Sequence, residues 1–251
     1  MQCTTNNLKY TNTKFTKQLA QTNFRKHIFE NSYPGRGIVL GKNRENSWIL
    51  IYWIMGRSSS SRSRIFKYEN RILRTEAIAS PLHQDPNFII YNVMRDVDER
   101  IVVTNGSHTD VICEKLKQGE NFFSSLNLER HESDSPNFTP RIAGLIEQSE
   151  SSISMAKICK SDFSFNHSSY HFFRYPKIKS GYGYCITTYM RDGDPPPNFQ
   201  GDPLLLPLEG DAEEIANKYW KKLDANNRIS LFTREIIKPG KDKLKIINRF
   251  E

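Results

Sequence analysis

The chain has few cysteines, no long apolar run and no repeat. Its four cysteines, Cys3, Cys113, Cys159 and Cys185, stand far apart among 251 residues, with no CxxC pair. That spacing offers no disulfide framework and reads as free thiols in a reducing compartment. The longest apolar run, Trp48–Met55 (WILIYWIM), has eight residues, whereas a bilayer span needs about 20. The opening MQCTTNNLKYTN is polar and lacks the apolar core of a secretory leader. The expectation is a cytoplasmic protein with no membrane partner. No helix-turn-helix, zinc-finger or RNP pattern is present, and no single basic arm, so no nucleic-acid partner is expected.

What is present reads as a soluble globular protein. Hydrophobic residues make up 37% and charged residues 25%, and 15 Phe, 11 Tyr and 3 Trp argue against disorder. The net charge of +8 favours anionic partners. A small phosphorylated ligand fits that balance better than a duplex.

The elements alternate in runs. Residues 1–13 read as a polar tail, and Phe15, Leu19, Phe24 and Ile28 predict an amphipathic helix over 14–30. Residues 37–41 and Trp48–Met55 predict a hairpin of two strands. Further strands are predicted over 71–78, 87–94, 100–104, 151–158, 162–175, 181–190 and 228–237. Helices are predicted over 111–126, 140–149 and 211–223, the last with an acidic first turn. Residues 192–207 read as a Pro- and Gly-rich loop. Strand runs alternating with helix runs predict an α+β layered domain, not a βαβ parallel sheet.

The chemistry concentrates in a few segments. Residues 57–64 carry three arginines (Arg57, Arg62, Arg64) and five serines, delivered at the end of a strand. Guanidinium forks match phosphate oxygens and hydroxyls add neutral donors; an exposed basic loop has the same composition. In VTNGSHTDVI, Asn105, Gly106, Ser107, His108, Thr109 and Asp110 sit between a strand and a helix. A helix N-terminus offers unpaired amides to an anion, although Asp110 competes for them. A capped turn gives the same pattern. Glu129, Glu132 and Asp134 lie before Arg141 as further acid–base candidates. His167 and His171 have a helical chelating spacing, but on a strand four residues span about 13 Å, too far for one ion. No metal is expected. An N-terminal nucleophile is disfavoured because Cys3 is not residue 2.

Together YPGRGIVLG, YWIMGRSSSSRSR, DPNFIIYN, VTNGSHTDVI, NFTPRIAGLI and GYGYCITTYMRDGDPPPNFQGDP resemble the archaeal-type IMP cyclohydrolases and their bacterial relatives, in order and spacing. The resemblance runs from about Tyr33 to Ile237. It implies a four-layer αββα sandwich like that of the N-terminal nucleophile hydrolases, without their nucleophile. It implies closure of FAICAR (5-formamidoimidazole-4-carboxamide ribonucleotide) to IMP, with no metal or organic cofactor, in a homo-oligomer. The family's arginine, tyrosine and glutamate fall on Arg62, Tyr91 and Glu132, with Glu129 a rival to Glu132. Arg57, Arg64 and Arg141 become candidates for the 5′-phosphate, and Asn105, Gly106, His108, Thr109 and Asp110 for the base pocket. Residues 1–32 would be a tail and helix, and 33–251 a single domain. A related enzyme with another amide or nucleotide substrate, or a non-catalytic purine nucleotide-binding protein, fits the same motifs.

Overall fold

The computed structural model describes residues 14–78, 90–238 and 240–250. Cys3, the polar tail over 1–13 and the first part of the strand expected over 87–94 lie outside the described residues.

Two antiparallel sheets dominate. In one, six strands run in the order β11-β10-β1-β2-β12-β13. These are β1 (Gly37–Lys42), β2 (Trp48–Met55), β10 (Tyr182–Thr187), β11 (Leu204–Pro207), β12 (Arg228–Lys238) and β13 (Lys241–Asn248). In the other, seven strands follow chain order from β3 to β9. They are β3 (Arg64–Glu69), β4 (Ile72–Ala77), β5 (Asn92–Val97), β6 (Arg100–Thr104), β7 (Arg141–Glu147), β8 (Ser152–Ser161) and β9 (Ser164–Tyr175). Helix α1 covers residues 14–24 and continues as a π-turn, Arg25–Phe29. A single turn, α2 (Ser59–Arg62), precedes β3, and α3 (His108–Lys117) and α4 (Ala212–Lys222) complete the set.

Strands β1 and β2 are buried along their whole length. Their side chains alternate between two cores, as the two-residue period of a strand requires. Ile38, Leu40, Leu50, Tyr52 and Ile54 face Val103, Ile142 and Ile146 of the second sheet. Val39, Ile49, Ile51, Trp53 and Met55 face Phe24 and Ile28 of the first helix and Ile215 and Tyr219 of α4. A third cluster joins Val102, Ala143 and Leu145 to Ile112, Cys113 and Leu116 of α3. Burial on both faces is why WILIYWIM has no polar alternation.

The same effect overturns one expectation. Residues 140–149 are not helical; Arg141–Glu147 is the central strand β7. Ile142 and Ile146 point to one core while Ala143 and Leu145 point to the other, so apolar residues at helical spacing occur on a strand. Gly144 belongs there, since a Cβ would stand 2.7 Å from Leu40. The helix expected over 111–126 begins earlier and stops sooner, at Lys117, where Gly119 takes φ +86°. Ser107 makes no side-chain cap there, and Asp110 is drawn off to Arg95 at 2.6 Å. Strand β3 is hidden in sequence by the arginine loop, and β13 by the lysines of KDKLKI. The loop over 192–207 closes with β11 as its last four residues. Helix α4 carries a capping box from Asp211 and Glu214.

One ionic cluster ties the sheets together. Arg234 of β12 is 0% exposed. Its guanidinium donates to Asp96 of β5 at 2.6 and 2.9 Å and to Asp242 of β13 at 2.6 and 2.9 Å. Removing one partner of a buried ionic group leaves the others uncompensated. Arg234→Ala should lower unfolding free energy in urea by about 3–5 kcal/mol; an unchanged denaturation midpoint contradicts the role.

Candidate active site

A cavity of about 490 Å³ opens where four segments meet. The first is Tyr33-Pro34-Gly35-Arg36, leading into β1. Gly35 has φ +73°, and a Cβ on it would lie 2.1 Å from the Thr188 hydroxyl. Only glycine lets this turn pass against β10. The second is the loop from Gly56 to Arg64, where Ser58, Ser61 and Arg64 form wall. Gly56 leaves the space that Ser61 occupies, since its Cβ would stand 2.2 Å from the Ser61 hydroxyl. The third is Glu132–Thr139, which closes on itself through a 2.9 Å bond from the Glu132 amide to the Thr139 carbonyl. The fourth is the end of β10 with Thr188, Tyr189 and Pro196.

The wall carries Arg36, Arg57 and Arg64 beside Glu132 and Asp134. Arg64 is 2% exposed. Its Nε donates to the Ser61 carbonyl at 3.0 Å, while its buried Nη1 has no protein partner. Arg36 lies 3.5 Å from Glu132, and its buried Nε also lacks a partner. Glu132 is 5% exposed. Burial, opposed by the Arg36 charge, raises its carboxyl above the usual glutamate value. Burial and the neighbouring Arg36 charge lower Arg64. One guanidinium thus pairs with the buried carboxylate while the other feels its charge, and each has an unpartnered donor.

Behind this wall two phenols meet. The hydroxyls of Tyr52 and Tyr91 are 3.0 Å apart, and both rings feel the charges of Arg36 and Arg64. Burial raises Tyr52 well above its usual value. The Tyr91 amide is fixed by the Thr75 hydroxyl at 3.0 Å.

The sequence-derived candidates divide. Arg57, Arg64 and Glu132 line the cavity; Arg62, Tyr91, Asn105, Gly106, His108, Thr109, Asp110 and Arg141 do not. Arg62 donates to the Gly56 carbonyl at 3.1 Å and so braces the loop. Arg57 is held by Asp192 at 2.8 Å and stacks on Tyr33 at 4.6 Å. Glu129 pairs with Arg141 at 3.7 Å and is also outside the wall. His167 and His171 stand exposed on β9.

The NGSHTD turn is an internal clamp. Asn105 donates to the Pro140 carbonyl at 2.9 Å and accepts from the Ile142 amide at 2.8 Å. Thr109 shares a 2.6 Å bond with Thr104. His108 lies 3.2 Å from the Ile142 carbonyl through Nε2 and 2.9 Å from Arg141 through Nδ1. A carbonyl can only accept and a guanidinium can only donate, so the ring carries its proton on Nε2. A Cβ on Gly106 would stand 2.8 Å from Arg141. The turn adjoins the cavity through Arg141, whose charge reaches both His108 and Glu132.

Sequence reasoning missed Arg36, Thr139, Thr188 and Tyr189. Arg36 had a signal in the glycines on either side of it; the others became visible only when β10 and the 132–139 segment met.

The fold and cavity define an α+β protein with an arginine-rich site bearing one buried carboxyl whose pKa burial raises. A family model described as IMP cyclohydrolase-like protein matches residues 33–240. The IMP cyclohydrolase of Methanopyrus kandleri is 32% identical over 187 residues, covering 68% of this chain and 85% of that protein. That of Haloquadratum walsbyi is 30% identical over 193 residues, 75% of this chain and 84% of that protein. That of Methanocaldococcus jannaschii is 31% identical over 119 residues, 47% of this chain. In that alignment and the one with Methanosphaera stadtmanae the chain spans 58% and 57% of the relatives' lengths. The chain belongs to the IMP cyclohydrolase-like family.

Burial first, then the Arg141 charge, holds His108 well below the usual imidazole value. A lowered folded-state value means the unfolded chain binds the proton more readily. The stability tied to neutral His108 is therefore present above about pH 6.5 and is lost as pH falls below it. Thermal melts from pH 7.5 to 5 should show this loss, and His108→Asn should flatten it; an equal slope in the variant contradicts the clamp.

Proposed function

We propose that the chain is an IMP cyclohydrolase, closing FAICAR to IMP with loss of water in purine nucleotide biosynthesis. The observation that carries this reading is the pair of guanidiniums, the buried Arg64 and the largely buried Arg36, each with an unsatisfied buried donor, beside the buried Glu132. The cavity volume lies within the range of small-ligand sites. The family match and the names of the relatives support the same substrate class.

The chemistry asks for these groups. A carboxamide nitrogen attacks a formyl carbon of the same molecule, so holding the two in contact supplies much of the acceleration. Charge builds on the former formyl oxygen, and a fixed donor aimed there is worth about 3–4 kcal/mol. A carboxylate takes the amide proton, and a phenol protonates the departing hydroxyl. In this reading Glu132 is the base. Tyr91, through Tyr52, orients the reacting groups or supplies the proton. Arg64 stabilises the oxyanion, with Arg62 holding its loop in place. The Arg57–Ser58–Ser61 end takes the 5′-phosphate. Asn105, Gly106, His108, Thr109, Asp110 and Arg141 support the base end from behind.

The reading extends to the architecture. The three apolar clusters support a four-layer αββα order resembling the N-terminal nucleophile hydrolase fold, with residues 33–251 as one domain and the preceding helix packed on it. No described helix is long and apolar enough to cross a membrane, and a cytoplasmic homo-oligomer suits the pathway.

A spectrophotometric assay with FAICAR tests this directly. The wild type should form IMP. Arg64→Ala should slow closure at least about a hundredfold and more than Arg62→Ala does. Binding of IMP without turnover would instead mark a non-catalytic nucleotide-binding protein. Because Glu132 must be ionised to act, activity should fall as pH drops through its raised value, above the usual glutamate range near about 4.3. Glu132→Gln should cost at least about a hundredfold and abolish that acid limb; a retained limb removes Glu132 as the base.

A further inference from the structure

Thr139 joins three residues of the cavity wall, two through their side chains and one through its backbone amide. It is 2% exposed. Its carbonyl accepts from the Glu132 amide at 2.9 Å. Its amide donates to one Asp134 oxygen at 2.7 Å, and its hydroxyl donates to the other at 2.6 Å. The same hydroxyl lies 2.7 Å from the phenol oxygen of Tyr189. Glu132, Asp134, Thr139 and Tyr189 all line the cavity.

Proton counting fixes the direction of this chain. A threonine hydroxyl has one proton, and Thr139 gives it to Asp134. The bond to Tyr189 is therefore carried by the tyrosine proton. Tyr189 also has only one, so toward the cavity it offers lone pairs alone. A bound molecule must meet it with a donor. Tyr189 is held in place by stacking on Tyr33, with ring centroids 5.7 Å apart.

We propose that Thr139 is a positioning residue that commits Tyr189 as a hydrogen-bond acceptor for an N–H or O–H donor of the bound nucleotide while seating Glu132 in the same wall. The inference rests on the ring-closure reading above. The carboxamide N–H of the open precursor is such a donor, and so is the ring N–H of the closed product. Reversing the relay would present the Tyr189 proton to that group and set two donors against each other. Asp134 acts at the far end of the relay, by fixing the Thr139 proton.

Steady-state kinetics with FAICAR and IMP affinity by calorimetry test the proposal in wild type, Thr139→Ser, Thr139→Val, Tyr189→Phe and the Thr139→Val/Tyr189→Phe double variant. Thr139→Ser keeps the hydroxyl and should stay within about threefold of wild type. Thr139→Val and Tyr189→Phe should each weaken IMP binding by about tenfold, the size of one hydrogen bond. Thr139→Val keeps the main-chain bond to the Glu132 amide, so kcat should fall no further than it does in Tyr189→Phe. In the double variant the losses in affinity should not multiply, since both single changes break one relay. Wild-type kinetics in Thr139→Val, equal damage in Thr139→Ser, or fully multiplicative losses would overturn the proposal. Should Thr139→Val not fold, Asp134→Asn replaces it with the same expected tenfold loss, and wild-type affinity there overturns the relay. A wild type that binds IMP without closing FAICAR defeats the ring-closure reading instead, and the coupling in IMP affinity still decides the relay.

Discussion

Two guanidiniums beside one buried carboxyl set the terms for this molecule. Arg64 is buried and Arg36 largely so, with Glu132 the acidic side chain paired to Arg36 in the wall. Such an arrangement costs stability unless more negative charge arrives. The unpartnered Nε of Arg36 and Nη1 of Arg64 are the donors that the proposed nucleotide would meet. The same burial that strands the arginines raises Glu132, moving a carboxyl toward the range where it can exchange protons. In the proposed function this one feature, a charged and largely buried site, serves both ligand binding and base chemistry.

The scaffold makes that exclusion affordable in structural terms. Strands β1 and β2 are covered on both faces, so the chain leaving their ends enters the site from a rigid support. Arg36 precedes β1, the arginine-serine loop follows β2, and Tyr189 follows β10, three neighbouring strands of one sheet. Glu132 and Thr139 come from the other sheet's connection between α3 and β7. The site therefore lies where the two sheets' loops meet. The Arg234 cluster, bridging β12, β13 and β5, fixes the sheets relative to each other well away from the chemistry.

Much of this was legible in residues alone. The strand Trp48–Met55 showed in WILIYWIM, the acidic first turn of α4 in DAEE, and the arginine loop as the end of a strand. One predicted element failed for an identifiable reason. Segment 140–149 carries apolar residues at helical spacing because it faces two cores, and periodicity cannot separate that from a helix. The NGSHTD turn read equally as an anion cradle or a capped turn, and in the fold its groups hydrogen-bond to Pro140, Ile142 and Arg141. Arg64, rather than Arg62, reaches the wall because β3 begins at Arg64 and the single turn of α2 carries Arg62 back to Gly56. The Thr139–Tyr189 contact joins residues 50 apart in sequence, a long-range pairing that no local pattern encodes.

A co-crystal structure with IMP tests the central claim most directly. The account predicts the nucleotide inside the cavity between Arg64 and Glu132, with the Nη1 of Arg64 newly hydrogen-bonded and the phosphate at the Arg57–Ser61 end. A nucleotide bound elsewhere, with both arginine donors still unmatched, would contradict it.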